Sequence, residues 1–165
     1  MGGDHPGRPE VAGWREWVGL PDLGIAHVKA KLDTGARSSA LHAFAIEEFA
    51  RDGADWVRFS VHPWQRSDDD AVPVEWPVHD RRLIRSSTGH EQERIVIRTA
   101  IALLGRPITT EVTLARRDEM GFRMLVGREA LRQGFVVDSA RSYRGGRPER
   151  SVRLRNRGRH AGHER

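Results

Sequence analysis

Lys29-Ala30-Lys31-Leu32-Asp33-Thr34-Gly35-Ala36-Arg37-Ser38-Ser39-Ala40-Leu41 is the stretch on which the reading of the fold turns. Val28, Ala30 and Leu32 alternate with His27, Lys29 and Lys31, which is the period of a strand with one face buried. The strand runs straight into Asp33-Thr34-Gly35. A rigid element therefore ends in a carboxylate and is followed at once by a turn of small residues. Gly35 permits a tight or positive-φ turn, and the Thr34 hydroxyl can fix backbone or a neighbouring strand. A carboxylate delivered this way can be aimed into a cleft. On three residues alone, an ordinary strand-to-turn junction is the simpler reading, since Asp, Thr and Gly are all common turn formers.

Working outward, the chain is a succession of short alternating runs. Gly13 to Pro21 reads as a first strand carrying Trp14 and Trp17, bounded by a turn. Leu41 to Phe49 fits either a strand or a short helix. Asp52-Gly53 marks a turn before the strand Trp56–Val61. Residues 65–71, with Asp68-Asp69-Asp70, read as an exposed loop. Val72, Val74, Trp76 and Val78 alternate, but Pro73 and Pro77 remove donors and push this strand to a sheet edge. Arg82 to Arg85 followed by Ser86-Ser87-Thr88-Gly89-His90 reads as a hairpin tip. The return strand, Glu93–Leu103, places Ile95, Ile97, Thr99, Ile101 and Leu103 on one face, and Ile108 to Leu114 alternates again after a Gly-Arg-Pro turn. Met124-Leu125-Val126 is an apolar strand broken by Gly127. Glu129–Gln133 suits a short helix closed by Gly134, and Phe135–Asp138 is a last strand. Many short strands with little helix argue for an all-β barrel or sandwich.

The chain has 165 residues, enough for one domain with tails to spare. Residues 1–10, rich in Gly and Pro, are expected to be a disordered leader, and residues 11–140 the folded domain. With no cysteine, disulfides, thiolate metal sites and cysteine nucleophiles are excluded. No signal-peptide pattern and no apolar run of spanning length is present, so a cytoplasmic protein without membrane contact is expected. The pI near 10.8 suggests a nucleic-acid binder until the charge is partitioned. Residues 141–165 hold nine arginines against two glutamates, a net +7, whereas residues 1–140 carry 19 Lys/Arg against 21 Asp/Glu, a net −2. The basicity belongs to the end of the chain. Its composition of Arg, Gly, Ser and Pro predicts a basic disordered tail over 141–165, able to make weak, salt-sensitive contacts with RNA.

Most site chemistries find no footing. There is no His-Glu-x-x-His, no ligand spacing among the eight histidines, no Gly-x-Ser-x-Gly elbow, no Walker loop and no dinucleotide fingerprint. No metal ligand and no cofactor is expected. Carboxylate chemistry remains. Two carboxylates held about 3 Å apart cannot both ionise, so one serves as general base on water while the other donates a proton. The chain contains one Asp-Thr-Gly; a homodimer with its two-fold axis through the site supplies the second.

Three motifs in order carry a resemblance. Leu32-Asp33-Thr34-Gly35-Ala36, the glycine-bearing hairpin about fifty residues on, and Met124-Leu125-Val126-Gly127-Arg128-Glu129-Ala130-Leu131 resemble the retropepsins, dimeric aspartic proteases of retroviral type. More closely, Gly13-Trp14-Arg15-Glu16-Trp17-Val18, Ala30 to Arg37, Arg85 to Gly89 and Met124 to Arg128 are similar to the bacterial family labelled ATP-dependent zinc proteases, whose domain is retropepsin-like. The resemblance covers residues 13–140 and implies a closed six-stranded acid-protease barrel with one short C-terminal helix. It also implies a role for each matching position. Asp33 would be the catalytic carboxylate, Thr34 would lock the two active loops of a dimer, and Gly35 would admit the substrate backbone. Ser87, Thr88 and Gly89 would form a flap tip, and Gly127 and Arg128 the turn beneath the active loop.

Viral members carry an acid four positions after the catalytic Asp, paired with the arginine of the Gly-Arg motif. Here that position is Arg37. The pair cannot form in the same way, and Arg37 and Arg85 are expected instead to bind substrate carboxylates. The zinc and ATP of the family label gain no support from these residues. The family's association with ligases that add glutamates to protein C-termini implies a peptidase acting on acidic or glutamate-rich tails. The rival expectation is a non-catalytic β-barrel interaction module whose Arg-rich tail binds RNA or ribosomes.

Overall fold

The computed structural model describes residues 8–85, 88–116 and 121–159. Strands β1 (Glu10–Gly13) and β2 (Arg15–Leu20) are separated at Trp14, and a single turn of 3-10 helix at Pro21–Leu23 leads to β3 (Ile25–Asp33). Then follow β4 (Ser39–His42), β5 (Phe44–Arg51), β6 (Ala54–Val61), β7 (Val72–Pro77), β8 (Asp80–Arg85), β9 (Glu91–Leu103), β10 (Arg106–Ala115) and β11 (Met124–Gly127). Helix α1 (Arg128–Leu131), β12 (Phe135–Asp138) and helix α2 (Arg150–Asn156) complete the chain. The stretch 41–49, open between strand and helix, is resolved as strand on both sides of Ala43.

Six strands close a barrel in the order β10-β4-β11-β3-β2-β9, with β9 returning to β10. The closing hairpin is tight because Leu104 and Gly105 both take positive φ, 51° and 75°, the backbone twist that a two-residue turn between antiparallel strands requires. Asp52 and Gly53 make the same kind of turn between β5 and β6, at φ 52° and 78°. The inward faces are those the alternation marks. Val28, Ala30 and Leu32 of β3 are buried with Val18 and Leu20 of β2 and Ile97, Ile101 and Leu103 of β9. Burial of this apolar set is the main stabilising term.

A three-stranded sheet, β5-β6-β7, stands apart from the barrel ladder but shares its core through Val57, Phe59, Val61 and Val74. Strand β7 lies at its edge, where Pro73 and Pro77 are tolerated. The hairpin β8–β9 extends from the barrel, and two arginines hold its base. Arg81 donates to Glu48 at 2.5 Å and Asp55 at 3.1 Å, reaching the three-stranded sheet, and Arg82 donates to Glu111 of β10 at 2.6 Å.

The C-terminal region departs from expectation. Residues 141–159 were expected to form an unstructured tail, yet they run along the barrel and end in a second helix beyond the short one foreseen. Leu154 and Asn156 of α2 are buried. Asn156 accepts from the Gln65 backbone through its side chain at 2.8 Å and from the Arg66 backbone through its carbonyl at 3.0 Å. The physical reason lies in β2. Glu16 falls on the inward face between Trp14 and Val18 and is fully buried. Its carboxylate accepts three backbone N–H groups, from Gly13 (2.7 Å), Arg144 (2.8 Å) and Gly145 (3.0 Å). A buried carboxylate needs such partners, and the segment expected to be solvated supplies two of them.

Candidate active site

Strand β3 delivers Asp33 beside the end of β11, in a parallel pair whose register sets Asp33 opposite Gly127. The chain then turns. The Ala36 N–H reaches the Asp33 carbonyl at 3.2 Å, and the Gly35 N–H donates to Asp33 Oδ1 at 2.9 Å. That second bond fixes the carboxylate's rotation while leaving Oδ2 unengaged by any hydrogen bond to a described residue. Asp33 is half-buried, and Thr34 and Gly35 are exposed. The open side of the loop is thus the side on which a second loop or a substrate would approach.

Beneath the loop, β11 and α1 form a cradle. Arg128 N–H donates to the Ala36 carbonyl at 2.8 Å, Glu129 N–H to the Arg37 carbonyl at 3.1 Å, and Gly127 N–H to Ser39 Oγ at 3.1 Å. Arg128 also donates through its guanidinium to the Gly35 carbonyl at 3.2 Å. The approach is so close that a β-carbon at Gly127 would lie 2.5 Å from the Ser38 carbonyl oxygen and 2.9 Å from that of Ala36. Glycine at 127 is required by this contact and not by an unusual φ.

Arg37 is placed differently from expectation. It donates to Glu129 Oε1 at 2.8 Å, across 92 residues of chain. The acid–base pair of the viral pattern is therefore present with its charges exchanged: the base sits in the Asp-Thr-Gly loop and the acid follows Gly-Arg. This hydrogen bond, more than any other contact, holds the Glu129 carboxyl below the ordinary carboxylate range. Arg85, the other expected carboxylate binder, pairs with Glu91 at 2.9 Å across the foot of the hairpin tip. Both arginines are structural partners within the chain before they meet any substrate. Of the expected flap-tip residues, Thr88 and Gly89 are exposed, Gly89 at φ 84°, and Ser87 lies outside the described residues. Leu83 on β8 is 68% exposed, an apolar side chain offered by the hairpin to whatever lies beside it.

Sequence reasoning missed Glu129 and Glu16. A signal existed for Glu16, since the alternation of β2 puts a carboxylate in a row of inward positions. None existed for the Arg37 partner, which only the β3–β11 register brings near. Among the described residues no group of three or more His, Asp or Glu side chains converges, so the residues present do not fit a zinc ion of the kind named in the label above. No described helix is long and apolar enough to cross a membrane.

Comparison with known proteins follows the same line. The family described as RimB-like, retropepsin-like aspartic endopeptidase, matches residues 11–148. A protein of Desulfotalea psychrophila named "Probable alpha-L-glutamate ligase" is 44% identical over 131 residues, covering 79% of this chain and 28% of its own. One of Shewanella pealeana with the same name is 44% identical over 133 residues, covering 81% and 29%. The chain thus spans under a third of the length of these curated relatives. Among solved structures, a Legionella pneumophila protein of unknown function superposes with a TM-score of 0.69 at 27% identity, covering 82% of this chain and 97% of that one.

Proposed function

The chain belongs to the RimB-like family of retropepsin-like aspartic endopeptidases, and from that premise we propose that it hydrolyses peptide bonds through a pair of Asp33 carboxylates, one from each copy of a homodimer. The observation that carries the reading is the Asp33 loop itself. One carboxylate oxygen is fixed by the Gly35 N–H, and the loop is seated on Gly127-Arg128-Glu129 with its Thr34 side open. A single carboxylate so held is half of an acid–base pair. With two, one takes a proton from water as the water oxygen attacks the peptide carbonyl carbon, and the other protonates the carbonyl oxygen. Collapse of the tetrahedral intermediate breaks the C–N bond as a proton passes to the departing amine.

A second copy has a surface to meet. The ribbon β1–β12 pairs Val11 with Val136, and these are two of the large apolar side chains left exposed, at 39% and 46%. Its Gly13 end is next to Trp14, whose carbonyl accepts from the N–H of Leu32, one residue before Asp33. A two-fold contact there would bring two Asp33 loops to the same end of the assembly.

The curated relatives are named as glutamate ligases, a name that belongs to proteins more than three times as long as the matched region. A domain of this family joined to glutamate-adding proteins supports a peptide substrate rich in glutamate, the tail class expected from the sequence. The test is Asp33→Asn assayed on oligoglutamate and on glutamate-tailed peptides. The variant keeps the loop's shape and loses turnover by about 10³-fold or more, as expected when a group acting in the transition state is removed. Turnover that survives the substitution contradicts the aspartic mechanism.

A further inference from the structure

Several arginines of this protein are matched by carboxylates. Arg37, Arg51, Arg58, Arg81, Arg82, Arg85, Arg123 and Arg141 all form ion pairs. One region gathers cations that are not. Where the C-terminal segment folds over the outer wall of β2 and β3, it lines an open cavity of about 570 Å³. The barrel side contributes Arg15, Lys29 and Arg66 to the lining. The C-terminal side contributes Arg147, Arg153, Arg157 and Arg159. No Asp or Glu lines it, and none of these seven cations forms an ion pair with a described carboxylate. Arg153 Nε is buried there with no hydrogen-bond partner. Seven positive charges converging on one concavity repel one another, so the folded state holds a charge density that an anion of matching multiplicity would neutralise.

The chemistry of the walls narrows the anion. The Tyr143 ring is already covered by cations, with Arg15 at 5.0 Å, Lys29 at 5.3 Å and Arg147 at 4.8 Å from its centroid. Trp14 carries Arg15 on its ring at 4.7 Å and meets Phe122 edge-on. Single-stranded nucleic acid binds by stacking bases on free ring faces, and the Tyr143 ring in this lining is already covered by cations. A chain bearing many charges and no rings suits the site better. Its place on the strand ties it to Asp33. Lys29 and Asp33 lie four residues apart on the same outward face of β3, about 13 Å at strand rise, which an extended peptide covers in about four residues.

We propose that this cavity is an exosite for the carboxylates of a glutamate-rich chain whose scissile bond, about four or more residues away, lies at Asp33. The proposal deepens the peptidase reading and rests on it for the second half of that statement. It also gives the arginine-rich C-terminal segment a function that does not require it to be a free tail.

The experiment uses the full chain carrying Asp33→Asn, so that binding is read without turnover. Fluorescein-labelled deca-glutamate is titrated by anisotropy at low and high salt, with Arg66→Gln/Arg147→Gln/Arg157→Gln added in the same background. These three side chains are exposed and without ion pairs, so the melting temperature checks that the fold is retained. The expected result is salt-dependent binding weakened about tenfold or more by the triple change, the sum of three modest charge contributions. Equal affinity in the triple variant overturns the proposal. Displacement of the label by oligouridylate of the same length at lower concentration than by unlabelled deca-glutamate also overturns it, in favour of a nucleic-acid site. If Asp33-bearing protein binds deca-glutamate in this cavity but cleaves no peptide, the carboxylate site is supported and the peptidase reading alone is lost.

Discussion

Glu16 and Gly127 do opposite kinds of work at the scale of single residues. Glu16 is a fully buried charge stabilised by three backbone donors from two distant parts of the chain. Glu16→Ala would strand those donors and free the 143–145 segment, so we expect a loss of about 2–5 kcal/mol in unfolding free energy by denaturant titration. A loss within experimental error would mean the carboxylate is not what pins the segment. Gly127 contributes by absence. Because a β-carbon there meets the Ser38 carbonyl oxygen at 2.5 Å, Gly127→Ala must push the Asp33 loop off its cradle. We expect about 1–3 kcal/mol of destabilisation together with a larger fall in peptidase rate, measured side by side. Asp33-Thr34-Gly35 was legible from its setting in the sequence, a strand running into a small-residue turn. The Glu16 network was not, because its partners are backbone groups of a segment whose composition argues against folding.

Among the elements, the strands were the legible part. Period-2 alternation located β3, β6, β7, β9 and β10, and the prolines placed β7 at an edge. Composition misjudged α2, since an Arg-rich stretch with two useful anchors, Leu154 and Asn156, folds once a barrel wall is there to receive it. The cradle under the Asp33 loop could not be read from sequence either, because the exchanged pair Arg37–Glu129 depends on the register between β3 and β11. That pair makes a pH prediction. Glu129 is held below the usual carboxylate range by Arg37, so its contribution to loop stability is present above the ordinary Glu pKa and is lost as pH falls through the lowered value. Glu129→Gln should therefore melt below the parent protein at neutral pH, with the gap closing on acidification through that lowered value. A gap that widens in acid contradicts the assignment.

For the whole molecule, the folded chain is one closed barrel that presents the single Asp33 carboxylate, an anchored hairpin and an apolar ribbon at its edge. Under the proposed function, a second copy related by a two-fold axis would supply the other carboxylate and cover the ribbon. The most direct measurement of that claim is a mixing experiment at constant total protein. Asp33 protein and its Asp33→Asn variant are combined in equal amounts, allowed to exchange subunits, and assayed on a glutamate-rich peptide. If each site takes one Asp33 from each copy, only pairs of parent subunits are active, and the rate falls to about a quarter of the unmixed value. A rate of about one half would show that each chain works alone, and the two-copy site would be contradicted.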